Sequence, residues 1–273
     1  RGCGGSSVHP NEFNPHSGTG TQTMKLSATI ITRDEEKNIG DCLASLDFVH
    51  EIIVVDSGST DRTKEICRAH PKVKFFTQEW LGYGKQKNRA AELAKHDWIL
   101  NLDADERVTP TLRQSIGNAD TKTFTAARIA RENYFGTRWI RHCGWYPDYN
   151  YRLYNRNQCR FSERIVHETL EHDGNTATLE GNLIHFTYEN ISDYLLRMDS
   201  YSTLSAQEMF KSGKKTGIAS LMFKPLATFV KMYIIKRGFL GGYAGLTLSL
   251  LYAQYTFCKY AKLVEIKQGS SNQ

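Results

Sequence analysis

The chain has 273 residues, 40% of them hydrophobic and 23% charged, with six cysteines and a formal net charge of +6. It is too apolar for disorder, too long for a mini-protein, and lacks the composition of a collagen or coiled coil. The cysteines at 3, 42, 67, 143, 159 and 258 show no paired spacing of a disulfide framework or zinc site, which implies a reducing compartment; the length suits one large α/β domain with or without an appendage.

Residues 1–23 mix Gly, Ser, Thr, Asn and Pro without an apolar stretch, so they read as neither signal peptide nor anchor. They are expected to be an appended or disordered leader, with the folded chain starting at Met24. From Leu26 to about residue 116, β-branched runs alternate with helical stretches, the pattern of a parallel sheet with crossover helices. Strands are predicted at Leu26–Thr32, Glu51–Asp56, Val73–Gln78 and Trp98–Asp103, with helices at Glu36–Leu46, Asp61–His70 and Gly84–Lys95. Asp34, Ser59 and Thr60 are candidate N-caps, and Thr109-Pro110 reads as an N-cap followed by proline at the first helical position. Beyond residue 120 the short runs Thr125–Ala130, Tyr149–Tyr154 and Ala177–Phe186 suggest antiparallel or mixed pairing. From Ser192 the chain turns helical, with Tyr194, Leu195, Met198, Tyr201 and Leu204 at helical spacing.

Charge is concentrated at the C-terminal end. Between Glu208 and Glu265 there is no Asp or Glu, while the same stretch carries nine Lys or Arg. Ile218–Ile235 places Lys224 and Lys231 seven residues apart among apolar residues, an amphipathic helix that Pro225 should start or kink. Gly238–Cys258 is free of charge but rich in Gly, Ser and Thr, so an interfacial or hairpin-like element is expected rather than a span. An anionic membrane surface is the expected partner. The alternatives are a soluble helical subdomain packed on the core, and a nucleic-acid-binding segment; the latter is disfavoured because the segment lacks Arg-rich or helix-turn-helix patterning.

The chemistry-bearing residues fall at strand ends, where open α/β sheets bind ligands. These clusters are Thr32-Arg33-Asp34-Glu35-Glu36, Asp56-Ser57-Gly58-Ser59-Thr60-Asp61 and Asp103-Ala104-Asp105-Glu106. For Asp34 and Glu35, complementing a helix dipole is a sufficient explanation. Asp103 and Asp105 follow an apolar strand at i, i+2, so both carboxylates point the same way and could hold Mg²⁺ or Mn²⁺ with positions open for a diphosphate; a solvated acidic turn is the alternative. Gly82-Tyr83-Gly84-Lys85-Gln86-Lys87-Asn88-Arg89 opens a helix and could face an anion, but it is neither a dinucleotide fingerprint nor a P-loop. Trp139, Trp145, Tyr146, Tyr149 and Tyr151 could stack on sugars or belong to the core.

The succession IITRDEEKNI, EIIVVDSGSTDRT and GKQKNRAAELAKHDWILNLDADE resembles the nucleotide-binding half of family 2 glycosyltransferases, of GT-A fold. Further on, GWYPDYNYRLYNR, IVHETLE and LIHFTY resemble bacterial lipopolysaccharide inner-core β-glucosyltransferases that act on heptose. The resemblance implies an α/β GT-A domain over residues 24–190, Rossmann-like over 24–116 and acceptor-binding over 117–190, with a mixed central sheet. A C-terminal helical, membrane-associating segment over 191–265 and a tail over 266–273 would follow. By position, Thr32, Glu35 and Asp56 match uridine-binding sites, and Lys87 and Asn88 fall beside the nucleotide. Asp103 matches a contact to ribose and metal, Asp105 one to metal and diphosphate, and His185 the histidine that completes the metal shell. Asp34 stands where the family usually has Asn. Glu168 occupies the position of the catalytic base, with Asp148 as the other candidate and a structural acid paired with Arg152, Arg160 or Arg164 as the bland reading of either. The implied protein is a cytoplasmic, peripheral membrane enzyme that moves a hexose, expected to be glucose, from a UDP-sugar to a lipid-linked saccharide acceptor. The alternatives are a polyprenyl-phosphate sugar transferase and a non-enzymatic protein binding UDP or nucleic acid.

Overall fold

The computed structural model describes residues 24–163 and 168–271; the leader expected at 1–23, together with Arg164 and His167, lies outside the described residues. The first half is built as its apolar runs dictate. Strands β1 (Leu26–Thr32) and β2 (Glu51–Asp56) are buried along their whole length, as parallel strands covered on both faces must be, and they pair in parallel with β3 (Val73–Thr77) and β4 (Trp98–Asp103) in the order β3-β2-β1-β4. The crossover helices are α1 (Ile39–Ala44), α2 (Thr63–Ala69) and α3 (Tyr83–Leu93). Register brings Thr32 opposite Asp56 and Ile31 opposite Asp103, so three strand ends open onto one edge of the sheet.

The expected caps are a different device. Asn38 and Arg62 precede α1 and α2 and make no side-chain cap. Asp34 and Ser59 instead tie the first strand-end loop to the second: the Thr60 amide donates to Asp34 Oδ1 at 2.7 Å, and the Asp34 amide donates to Ser59 Oγ at 2.9 Å. Asp34 sits at φ 53°, in the left-handed region that Asn and Asp tolerate best among non-glycine residues, which explains why either can stand there. The cap expected at Thr109 is present, with Thr109 Oγ1 accepting from the Leu112 amide and Pro110 opening its helix.

After β5 (Glu106–Val108) and α4 (Pro110–Gly117), the sheet continues through β6 (Ala126–Phe135), β7 (Arg138–Trp139), β8 (Asp148–Asn155), and, beyond a small two-stranded ribbon of β9 (Cys159–Phe161) and β10 (Leu170–His172), β11 (Thr176–Tyr188). Strand β8 runs antiparallel to both β4 and β6, β6 runs parallel to β11, and β5 closes the edge antiparallel to β11. This is the mixed central sheet of a GT-A fold.

The C-terminal part is helical. Helix α5 (Ile191–Lys211) buries Tyr194, Met198, Ser202 and Ala206, one face at i, i+4 spacing, whereas Leu195, Tyr201 and Leu204 stay partly exposed. Helix α6 (Ile218–Val230) carries Pro225 inside rather than at its start, and runs on through a π-helical turn, Lys231–Ile235. A 3₁₀ turn at Gly238–Gly241 then reverses the chain into α7 (Gly242–Ser271), which continues past the expected tail boundary at residue 265. The reversal depends on contact too close for a side chain, since a Cβ on Gly245 would lie 1.9 Å from the Gly238 carbonyl oxygen. Part of the charge-free stretch is therefore core: Leu248 and Leu251 are buried, and Tyr194 donates to the Leu251 carbonyl at 3.0 Å. Trp145, Met232 and Leu248 anchor α7 and the π turn to the central sheet.

Candidate active site

Two cavities meet above the strand ends. One, of about 650 Å³, is lined by Thr32, Glu35, Ser57, Asp103, Asp105 and His185, with Tyr83 and, from α5, Arg197 and Tyr201. The other, of about 710 Å³, is lined by Lys87, Asp103, Arg131, Arg152, Glu168 and a wall of tyrosines. Both include Asp103, Tyr83, Tyr188, Tyr201 and Leu204, so the two spaces adjoin at Asp103. Each has the size of a small-ligand site.

In the first cavity the antiparallel pairing of β5 with β11 sets His185 opposite Glu106, and the Phe186 amide donates to the Asp105 carbonyl at 3.1 Å. His185 Nε2 consequently lies 3.4 Å from Asp105 Oδ2, while its Nδ1 is 2.6 Å from Asn133 Oδ1. A distant histidine and the acidic turn are thus brought together by strand register. Glu35 stands close enough that burial, the largest effect, and the Asp105 charge push its carboxyl up, against a lowering hydrogen bond from Asn38. Thr32 Oγ1 is buried with no hydrogen-bond partner among the described residues, a polar atom left over for a ligand. Asp56 is spent on its own loop, accepting from the Gly58 and Ser59 amides at 3.0 Å and from the Ser59 hydroxyl. It lines neither cavity.

Helix α3 aims its basic motif at the second cavity. It packs so tightly that a Cβ on Gly84 would lie 2.0 Å from the Ser162 carbonyl oxygen, and this approach carries Lys87 inward. Lys87 Nζ sits 2.7 Å from Glu168 Oε1 and 3.7 Å from Asp103 Oδ1, bridging the two carboxylates. Asn88 faces another way: its amide exchanges hydrogen bonds of 2.8 and 2.9 Å with the Phe161 backbone, fixing the β9 ribbon and touching neither cavity.

Beneath lies a buried charge network that sequence reading only partly foresaw. Arg152 contacts Asp103 Oδ2 at 2.6 Å and, through the same nitrogen, Glu106 Oε1. Glu106, completely buried, also accepts from the Asp103 amide at 3.1 Å and faces Arg131 at 3.4 Å. Burial pushes the Asp103 carboxyl up, but the charges of Arg152, Lys87 and Arg131 outweigh it and hold that carboxyl far below the usual range. Asp148 is consumed in the same way, with Oδ2 bound by Arg131 at 2.7 Å and by Asn133 at 3.0 Å, and Oδ1 bound by Asn150 at 3.1 Å. Burial raises the Asp148 carboxyl, yet Arg131 and these hydrogen bonds bring it below normal. Asp148 does not line the second cavity, whereas Glu168 does. Glu168 Oε2 accepts no hydrogen bond among the described residues.

Glu106, Arg131 and Arg197 were not singled out in the sequence. Glu106 directly follows the acidic pair, and Arg197 follows Asp193 by one helical turn, which bonds its Nε at 2.9 Å; nothing local marks Arg131. The five aromatic residues divide between the two readings offered by the sequence. Tyr149 and Tyr151 line the second cavity, but Trp145 is core and Trp139 and Tyr146 pair edge-to-face away from it. The remaining ring wall is supplied by Tyr188, Tyr194, Tyr201, Tyr252 and Tyr255 from β11, α5 and α7.

Among the described residues no group of three or more His, Cys, Asp or Glu side chains is arranged to hold a metal ion. The acidic turn still fits a hard cation, because Mg²⁺ and Mn²⁺ are commonly held by one or two carboxylates with the remaining positions taken by phosphate and water. Asp105 and His185 face each other on the wall of the first cavity, with Asp103 on the same wall.

Residues 27–170 match the family model "Glycosyl transferase family 2". The lipopolysaccharide core biosynthesis glycosyltransferase LpsC of Rhizobium meliloti is 31% identical over 255 residues, covering 89% of this chain and 93% of that protein. An uncharacterized glycosyltransferase of Rickettsia typhi is 30% identical, covering 91% of this chain and 89% of its own length. Among solved structures, S. aureus TarS 1-349 in complex with UDP-GlcNAc is similar at a TM-score of 0.44 and 17% identity, covering 90% of this chain and 92% of that one.

Proposed function

The chain belongs to glycosyl transferase family 2, and from that premise we propose that it moves a hexose, glucose as the first candidate, from a UDP-sugar to a lipid-linked saccharide such as a lipopolysaccharide-core heptose. The observation that carries this reading is the meeting of two cavities at Asp103, one walled by strand-end acids and the other by Glu168 and tyrosines. A donor and an acceptor need adjoining spaces, and tyrosine faces suit sugar rings. The relative LpsC, named for lipopolysaccharide core biosynthesis, supports the acceptor class.

In this reading the uracil and ribose lie along Thr32 and Glu35, with the buried Thr32 hydroxyl as a ready partner and Asp56 shaping the loop beside them. Asp105, with Asp103 and His185 on the same wall, would hold Mg²⁺ or Mn²⁺ with the diphosphate and water in the other positions, and the ion would supply charge neutralisation for the departing diphosphate. Lys87 offers a further cation on the same side, and Asn88 keeps its helix registered on the β9 ribbon. Glu168 takes the proton of the acceptor hydroxyl through Oε2 while the acceptor oxygen attacks the anomeric carbon from the face opposite UDP and the bond from that carbon to the UDP phosphate oxygen breaks, giving inversion in a single displacement. Asp148 is a weaker candidate for base, since both of its oxygens are bound and its carboxyl is held below normal by Arg131.

The test is release of UDP from UDP-glucose, with UDP-GlcNAc as the competing donor, against a heptose-containing core saccharide and against polyprenyl phosphate. Acceptor-dependent UDP release with the saccharide is expected. Release only with polyprenyl phosphate would replace the acceptor class, because a phosphate acceptor needs no general base.

A further inference from the structure

The α6–α7 hairpin leaves an apolar stripe without a partner. Ile218, Met222, Leu226, Val230 and Ile234 recur every four residues, so successive members adjoin in a slowly turning stripe along the helix, and each is between 40% and 77% exposed. Only 6% of Ile218–Ile235 is buried, although this stretch is long and apolar enough to cross a membrane. It does not stand alone: Thr228 Oγ1 bonds Thr256 Oγ1 at 3.0 Å, and α7 is itself held on the catalytic domain through Trp145, Leu248 and Leu251. A helix so held offers a lateral face to a bilayer surface rather than a free span. Lys224 and Lys231, one heptad apart, flank the stripe, where lysine stems can lie along apolar surface while their ammonium groups reach the headgroups.

At the tip of this hairpin is a cleft of about 290 Å³, outside both active-site cavities, lined by Arg138, Trp139, Arg141, His142, Leu240 and the start of α7. Arg141 stacks over the Trp139 ring at 4.2 Å, and neither Arg138 nor Arg141 has a carboxylate partner among the described residues. Trp139 Nε1 is buried with no hydrogen-bond acceptor among the described residues. Two exposed guanidinium groups without carboxylate partners on one hollow suit an anion with several acceptor oxygens. Leu240 belongs to both the cleft and the exposed apolar tip, next to the exposed Phe239 and Tyr243. No Asp or Glu between Glu208 and Glu265 opposes such an anion.

We infer that the hairpin stripe and the Arg138–Trp139–Arg141 cleft form one docking surface for an anionic phospholipid bilayer, with the cleft seating a lipid phosphate and the stripe entering the acyl boundary. This surface would hold the tyrosine-walled cavity near the membrane plane, since α7 contributes to both the cleft and that cavity. The inference does not depend on the sugar chemistry, because lipid binding is read without turnover.

The test is flotation of the protein with phosphatidylcholine vesicles, with and without phosphatidylglycerol, for the wild type, the pair Arg138→Ala/Arg141→Ala, and the pair Met222→Ser/Leu226→Ser. All four positions are exposed or on the rim, and a thermal melt of each variant verifies folding. The wild type is expected to bind phosphatidylglycerol vesicles more tightly and to lose that preference in high salt. About 1 kcal/mol per cation at an anionic surface converts to roughly fivefold per charge, so the arginine pair should weaken phosphatidylglycerol binding about 25-fold and phosphatidylcholine binding, whose headgroup has no net charge, by much less. The stripe pair should lose binding to both vesicle types. Wild-type protein that does not float, or that is a dimer dissociated by the stripe substitutions, would overturn the inference. Arginine variants that bind as the wild type does would overturn the role of the cleft.

Discussion

Glu168→Gln is expected to lower kcat by roughly 10²–10⁴-fold while leaving UDP affinity within about twofold, the pattern of a lost proton acceptor rather than lost binding. The amide oxygen can still accept from Lys87, which lies 2.7 Å from Oε1, so the local geometry has a reason to survive. What disappears is the basicity of Glu168, a cavity-lining carboxylate whose Oε2 has no hydrogen-bond partner among the described residues. Stopped-assay kinetics with saturating acceptor, together with UDP titration of the same variant, separates the two quantities. Asp148→Asn provides the contrast. Its carboxylate anchors Arg131, Asn133 and Asn150, so its loss should appear in the melting temperature as much as in kcat. A Glu168→Gln enzyme that turns over at the wild-type rate would transfer the proton elsewhere and favour a phosphate acceptor.

Glu106→Leu is expected to destabilise the fold by about 3–5 kcal/mol, enough to unfold a marginal domain, because it strips a completely buried carboxylate from two arginines. Arg152 would keep Asp103 and the Asn101 side chain, and Arg131 would keep Asp148. The turn that presents Asp103 and Asp105 would also lose the acceptor of the Asp103 amide. Urea denaturation measures the loss, and a leucine variant as stable as the wild type would show that the network is dispensable. Acid should act on the same network late. The folded Asp103 carboxyl is held below its usual value, first against burial and then by Arg152, so its contribution is complete above about pH 4 and fades only as pH falls toward the folded-state value.

The nucleotide half was legible because its information is local. Continuous apolar runs such as Leu26–Thr32 and Glu51–Asp56 specify buried parallel strands, and the polar clusters after them mark the sheet edge where the strands end together. The Asp103-x-Asp105 spacing could be read directly, and its approach to His185 came only through family resemblance, since eighty residues and the β5–β11 register intervene. Long-range partners without a local signature were missed. Arg131 enters through the β6–β8 pairing, which sets it opposite Asp148, and the tyrosines of α5 and α7 reach the second cavity only once those helices dock. Asp34, Ser59 and Thr60 illustrate the converse error: residues that cap helices well are also good at bridging loops, and here the two strand-end loops lie close enough for the bridge to form. In the C-terminal part, composition marked an apolar, basic element but could not divide it. Leu248 and Leu251 turn inward on the core, whereas Met222 and Leu226 stay outside, a division set by which helix faces the catalytic sheet.

Calorimetric titration of UDP into the protein, with and without Mn²⁺ and beside an Asp105→Ala variant, bears most directly on the central claim that the strand-end acids form a nucleotide-diphosphate site. Binding that requires Mn²⁺ and is at least about tenfold weaker in the variant is predicted, since Asp105 is the carboxylate facing both His185 and the first cavity. Folded protein that takes up no UDP under either condition, or an Asp105→Ala variant that binds UDP and Mn²⁺ as the wild type does, would contradict it.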